Sequence, residues 1–149
     1  MLIVFPLGLL ATAVVFDVLY LTVGTPEFVT VSYWMIAAGL VGGVIAAIPG
    51  VIDWAAIPVN TRAKGVGLAH GVGNVVVILL FLASWMLRRV ADGDPGTAAY
   101  LFSFGGVALA LVTGWLGGEL VDRLGVGVDD GAHLDAPSSL SGKPARSEA

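Results

Sequence analysis

His70 and Asn74 stand one helical turn apart in "GLAHGVGN" (residues 67–74), at the start of a stretch that is otherwise apolar. An imidazole and a carboxamide on one helix face can hydrogen-bond across to a neighbouring helix. Alternatively, the imidazole can relay a proton, contact a ligand, or hold a metal or a haem iron. The other ionisable side chains within or beside apolar stretches are Asp17, Asp53, Glu119 and Asp122, with Arg62 and Arg123 close to them in sequence. Asp53 and Arg62 are expected to form an ion pair that anchors a loop, and Asp122–Arg123 is expected to be a solvated helix end. His133 lies in a polar tail, where a solvated side chain is expected. No GxSxG, GKS/T or HExxH pattern occurs. With no cysteine, disulfides, thiolate metal sites and cysteine nucleophiles are excluded. No metal site and no catalytic set is assigned, so the sequence favours a non-enzyme.

The elements that must position these residues follow from composition. Of 149 residues, 57% are hydrophobic and 12% charged, and the mean hydropathy is +0.93. Soluble domains carry about 25% charged residues, so half of the usual solubilising surface is missing. Four apolar stretches account for this, at about 2–23, 31–52, 66–87 and 98–120. Each is long enough for a bilayer, which takes roughly 20 apolar residues as a helix. The expected fold is all-α: an integral membrane four-helix bundle over residues 1–125, followed by a disordered polar tail over 126–149 that is rich in Pro and Ser. The first stretch has no basic leader and is read as a retained helix rather than a signal peptide. Pro26 is read as a helix stop within a turn over 24–30, Pro58 as a break in the 53–65 loop, and 88–97 as a polar turn.

Four spans place both termini and the 53–65 loop on one side. Near the membrane that side has Arg62, Lys64 and Arg123 against Arg88 and Arg89 on the other. The balance favours cytoplasmic termini. The expected location is a bacterial inner membrane. Helix direction then brings Asp53, His70, Asn74, Glu119 and Asp122 to one membrane face, whereas Asp17 belongs toward the opposite one. A charge at mid-bilayer costs at least ~2.5–3.5 kcal/mol on insertion scales, so each position needs a reason. The expectation is a polar intramembrane cluster of Asp53, Arg62, His70, Asn74 and Glu119 at one end of the bundle.

In the third stretch, Gly67, His70, Gly71, Asn74, Ile78, Phe81 and Trp85 form one stripe directed at the bundle. Leu68, Val72, Val75, Val76, Leu79, Leu82 and Met86 form the lipid side. In the second stretch Gly39, Gly43, Ala46, Gly50 and Asp53 recur at spacings of 4, 3, 4 and 3. Gly67/Gly71 and Gly114/Gly118 are further small-xxx-small pairs. All are read as packing surfaces, because close backbone approach holds helices together in lipid.

Four fragments, "FPLGLL" (5–10), "GVIDW" (50–54), "GLAHGVGN" (67–74) and "GWLGGELV" (114–121), together resemble the DUF2231 family of bacterial four-helix membrane proteins. The resemblance covers about residues 1–128. It implies a histidine–proline step at the head of the first helix, and some members are associated with Rieske-type iron–sulfur domains. Here Phe5 precedes Pro6, so that histidine is not supplied. The family carries no activity to transfer.

Two functional classes remain. One is a non-catalytic membrane module or partner subunit whose polar cluster holds its helices; it is the favoured reading and implies no cofactor. The other is a membrane redox protein, cytochrome b-like or the partner of an iron–sulfur protein, with haem on His70. A bis-histidine haem needs two in-membrane histidines, and His70 alone qualifies. A proton or ion path is disfavoured because the apolar middle of the spans is uninterrupted. The expected partners are the lipid bilayer and a second copy or redox partner. Nothing resembles a basic nucleic-acid patch.

Overall fold

A computed structural model describes the backbone of residues 2–90 and 93–145. Four helices follow one another: α1 (Val4–Val23), α2 (Glu27–Ala56), α3 (Arg62–Val90) and α4 (Thr97–Gly118), the last continuing into a π-helical turn, Glu119–Arg123. All four are long and apolar enough to cross a membrane. The chain runs up and down as two hairpins, α1/α2 and α3/α4, which meet through α2–α3 and close through α1–α4. One end of the bundle, the hairpin end, carries the turns after α1 and after α3. The other, the termini end, carries the start of α1, the α2–α3 loop and the end of α4.

Each helix contributes an inward row at alternating spacings of four and three. The rows are Pro6, Leu10, Ala13 and Asp17 on α1, and Ser32, Ile36 and Gly39 on α2. On α4 the row is Ala99, Ser103, Gly106 and, two turns farther, Thr113. A mean spacing of 3.5 residues keeps one seam facing the partner helices over several turns, which is the requirement for knobs-into-holes packing. Leu10, Ala13, Ile36, Val77 and Phe81 form the central cluster. Glycines seat the larger side chains. A Cβ at Gly39 would lie 2.6 Å from Leu10 and one at Gly106 2.7 Å from the Phe81 ring, and one at Gly43 would meet Ile78. Dispersion across such close approaches holds a bundle that gains nothing from exchanging lipid for leucine. The expected lipid side of α3 is borne out: Leu68, Val72, Val75, Val76, Leu79, Leu82 and Met86 are all exposed.

Several expectations are corrected. Pro26 begins α2 as its N-cap rather than ending α1, as suits a residue with no N–H to leave unpaired. Gly24 ends α1 instead, in the left-handed conformation with φ +80°, its N–H bonded to the Tyr20 carbonyl. Residues 88–90 belong to α3, not to a polar turn. The α2 glycine strip faces the bundle at Gly39 and Gly43 only; Gly50 and Asp53 are exposed, and nothing lies near the Gly50 position. Gly71 and Gly114 likewise look out, and their places at the α3–α4 seam are taken by Gly73 against Thr113 and Gly117 against His70. From Ala47 to Asp53, α2 leaves the other helices: every residue of that run is exposed, around the whole circumference. α2 returns at Trp54, whose ring covers Gly67, and it ends before Pro58 as expected. Apart from these corrections, the described part of the tail, residues 126–145, holds turns and one short 3₁₀ helix, Ser139–Ser141.

Candidate functional site

Polar side chains gather in two layers, one near each end of the bundle. Asp17 sits six residues from the end of α1, roughly 9 Å along the axis, with its side chain 1% exposed. Its carboxylate accepts two parallel bonds from the Arg88 guanidinium, from Nη1 at 2.9 Å and from Nη2 at 2.7 Å. Ser32 donates to Oδ1 at 2.6 Å and Ser103 to Oδ2 at 2.8 Å. Each of the three Arg88 nitrogens is engaged in turn. Nη1 also reaches the Ser32 hydroxyl at 3.2 Å, and Nε reaches Ser84 Oγ at 3.2 Å. Ser84 passes its own proton to the Ala99 carbonyl at 2.7 Å. The guanidinium also lies over the Tyr100 ring, 5.4 Å from its centroid. Asp17 is on α1, Ser32 on α2, Ser84 and Arg88 on α3, Ser103 and Ala99 on α4, so the layer ties all four helices.

This layer is charged yet complete. The fork-on-fork geometry is the strong form of an ion pair, and two hydroxyls occupy further carboxylate lone pairs. Without them, taking two charges out of water would outweigh their attraction. From sequence, Asp17 belongs toward this face and Arg88 to a turn on the same side, with nothing to pair them. The missed signal was register: the α3 stripe of Asn74, Ile78, Phe81 and Trp85 continues by three residues to Arg88. Ser84 lies four residues before Arg88, on the same face.

The second layer lies toward the termini end and joins α3 to α4. His70 Nδ1 is 2.8 Å from the Thr113 carbonyl. A carbonyl can only accept, so Nδ1 carries the proton and Nε2 is left with a lone pair. That lone pair receives the Asn74 amide Nδ2–H at 3.0 Å. Thr113 Oγ1 donates to Asn74 Oδ1 at 2.9 Å. His70, Asn74 and Thr113 therefore close a circuit in which both ring nitrogens are engaged. Gly117 lets the imidazole in, since a Cβ there would lie 3.1 Å from His70 Cε1.

Around this circuit the expected cluster divides. Arg62 pairs with Glu119, Nη2 to Oε1 at 2.7 Å, their side chains 62% and 13% exposed. Arg123 approaches the other Glu119 oxygen at 3.9 Å. The π-helical turn, closed by the Leu124 N–H on the Glu119 carbonyl, shapes the chain where Glu119 meets Arg62. The expected Asp53–Arg62 pair is not formed: Asp53 is exposed at the far end of the departed part of α2, and among the described residues it has no ion pair. Asp122 is exposed, as a solvated helix end requires. Lys64, expected only as one of the basic residues on this side, is the loop anchor instead. Its ammonium donates to the Trp54 carbonyl at 2.7 Å and lies over the Trp54 ring at 4.0 Å, and the indole N–H donates to the Lys64 carbonyl.

Haem on His70 can be tested against this geometry. The only ring nitrogen able to ligate iron is Nε2, and Asn74 occupies it. At this seam Gly73 is closed by Thr113 and Gly117 by the imidazole itself. An axial ligand on Nε2 would have to displace the Asn74 amide. Among the described residues no group of three or more histidine, cysteine, aspartate or glutamate side chains could hold a metal ion.

A family model described as "Predicted membrane protein (DUF2231)" matches residues 1–130. No curated protein matches the chain, and no solved structure does.

Proposed function

The chain belongs to the DUF2231 family of predicted membrane proteins, and from that premise we propose that it is a non-catalytic multi-pass module, or partner subunit, of the bacterial inner membrane with its termini in the cytoplasm. The observation that carries this reading is that both intramembrane polar layers are closed on themselves. Asp17 and Arg88 satisfy each other and three serines, and His70 spends both nitrogens on helix-to-helix bonds. Groups arranged so fasten helices; a relay or a ligand site keeps one donor or acceptor open. The basic residues Arg62, Lys64 and Arg123 at the termini end support the cytoplasmic side for that end.

The test is the absorption spectrum of the purified protein after expression with haem precursor. A colourless preparation is the expected result. A Soret band present in the wild type and lost in His70→Ala would overturn the reading and move the protein to the redox class. Reporter fusions at Gly93 and at the C-terminus should report opposite compartments, the latter cytoplasmic.

A further inference from the structure

At the hairpin end a cleft of about 520 Å³ opens between the turn after α1 and the end of α3, with Tyr20, Thr30, Tyr33, Arg88, Arg89 and Asp94 among its walls. The volume falls within the range of small-molecule sites. Arg88 forms part of the lining but is neutralised by Asp17. Among the described residues of the lining, two further charges of opposite sign are present. Arg89 is exposed, its guanidinium resting on the Trp85 ring 4.9 Å from the centroid. Asp94 is exposed too, and its position is fixed through one oxygen: Oδ1 accepts from the Gly96 N–H at 3.0 Å and from the Tyr100 hydroxyl at 3.1 Å. Arg89 and Asp94 share the cleft, yet among the described residues they form no ion pair with each other.

The level of the cleft in the bilayer is given by its surroundings. Tyr20, Tyr33, Trp85 and Tyr100 stack in pairs at this end, Tyr33 on Trp85 at 5.5 Å and Tyr20 on Tyr100 at 6.4 Å. Trp34 stands beside Tyr33, and its side chain is exposed. Aromatic rings collect in this way at headgroup level, where one edge is apolar and the other wet. The cleft is therefore placed where phospholipid headgroups lie, in the leaflet away from the termini.

We propose that this cleft is a lipid site that selects a zwitterionic headgroup with a phosphodiester and a primary ammonium, as in phosphatidylethanolamine, through Arg89 on the phosphate and Asp94 on the ammonium. The chemistry discriminates among common headgroups. A glycerol headgroup offers the phosphate to Arg89 but nothing for the Asp94 carboxylate, whose charge then opposes the lipid's own. A choline headgroup carries the cation without an N–H to donate, so it forfeits the hydrogen bond. A primary ammonium brings three donors in a compact charge. Tyr33 and Tyr20 add flat walls against which the glycerol backbone can rest.

The experiment uses the full chain in nanodiscs of phosphatidylethanolamine, phosphatidylglycerol and phosphatidylcholine in equal parts. The protein is then released in mild detergent, and the retained lipid is identified by native mass spectrometry. The wild type should retain phosphatidylethanolamine about three- to five-fold over the other two, the ratio that a partly exposed charge pair supplies. Asp94→Asn should remove the preference over phosphatidylcholine, Arg89→Ala should lower retention of all three, and Arg89→Lys should restore most of it. Tyr100→Phe removes the hydroxyl bond to Asp94 but leaves both charges, so it should keep the preference and report any general loosening of the helix end. Equal retention of the three lipids by the wild type overturns the proposal, as does a preference unchanged in Asp94→Asn. Soluble glycerophosphoethanolamine displacing the lipid at millimolar concentration would assign the cleft to a soluble ligand and overturn the lipid assignment.

Discussion

The two polar layers solve the same problem with different chemistry. At the hairpin end a full ion pair, with its side chains 1% exposed, joins four helices. At the termini end three uncharged side chains, Thr113 buried and His70 and Asn74 half-buried, join two helices, and the charges beyond them, Arg62 and Glu119, lie toward the surface. The helices follow the same division. Near Asp17 all four are drawn together, whereas from Ala47 onward α2 parts from the others and meets α3 again around Trp54. A buried charge demands a partner and further donors from every side, so the charged layer converges the bundle. A neutral circuit satisfied by two helices makes no such demand on the rest. The difference teaches that in this fold the number of helices held at a level follows the charge buried there.

The hairpin layer should therefore be the costly one to break. Asp17→Leu, or Arg88→Leu, leaves one ion buried without its counter-ion and should destabilise the protein by about 3–5 kcal/mol, measured by denaturant titration in micelles. The double variant Asp17→Leu/Arg88→Met removes both ions and should cost far less than the two single changes together. If the double variant instead costs their sum, the charges are not coupled and the comparison fails.

Next in size is the seam beneath the neutral layer. A Cβ at Gly73 would lie 2.5 Å from the Thr113 methyl, while nothing lies within 4 Å of the Gly71 position. Gly73→Ala should push α3 from α4, strain the Thr113–Asn74 bond and cost about 1–3 kcal/mol, as overpacking does. Gly71→Ala should be neutral. Equal effects at both positions would mean that the seam does not run where the His70 circuit requires it.

This pair of glycines also shows what the sequence could and could not convey. Span number, the all-α class and the lipid face of α3 were legible because they depend on length and on a long one-sided run of leucine and valine. His70 and Asn74 were legible as inward partners because their spacing is one turn. Which of two neighbouring glycines meets the next helix was not, since Gly71 and Gly73 differ by 200° around the axis and composition alone favours neither. The Asp17–Arg88 pair was hidden for another reason. Its members are 71 positions apart, and Arg88 next to Arg89 at the end of a span looks like an ordinary interfacial basic pair. Serines 32, 84 and 103 carry no charge to draw attention, and only the four-three register shows them facing one point. Asp53 erred in the opposite direction: its register continued the glycine strip, but α2 had already left the bundle.

Within the neutral layer each bond should count for little by comparison. Asn74→Leu removes the bonds to His70 and to Thr113 together, and Thr113→Val removes one of them. At ~0.6–2 kcal/mol for a helix-to-helix bond in a membrane, Asn74→Leu should be the larger loss, and the double variant should cost less than the sum because both changes act on one bond. Asn74→Leu also frees Nε2 of His70, so under haem supplementation it is the variant in which a Soret band could first arise if the seam can open.

The smallest effects belong to the rim of the termini end, and there the comparison of Arg62 with Asp53 decides between two pairings. The Arg62 side chain is 62% exposed while Glu119 is 13% exposed, so water already solvates most of the cation, and the pair should contribute no more than about 1 kcal/mol. Arg62→Ala should fall in that range and weaken further as salt screens the exposed partner. Glu119→Gln should cost no more, because it removes the charge but leaves an amide oxygen that can still accept from Arg62. Asp53→Asn should change stability by less than about 0.5 kcal/mol, as an exposed substitution away from any cap or pair does. A double-mutant cycle between Arg62 and Glu119 should then give a coupling that vanishes at high salt, and the cycle between Arg62 and Asp53 should give none at any salt. The reverse pattern would place the loop against Asp53 and take the α2–α3 loop away from the π-helical turn, so this weak bond decides on which side of the bundle the loop is tied.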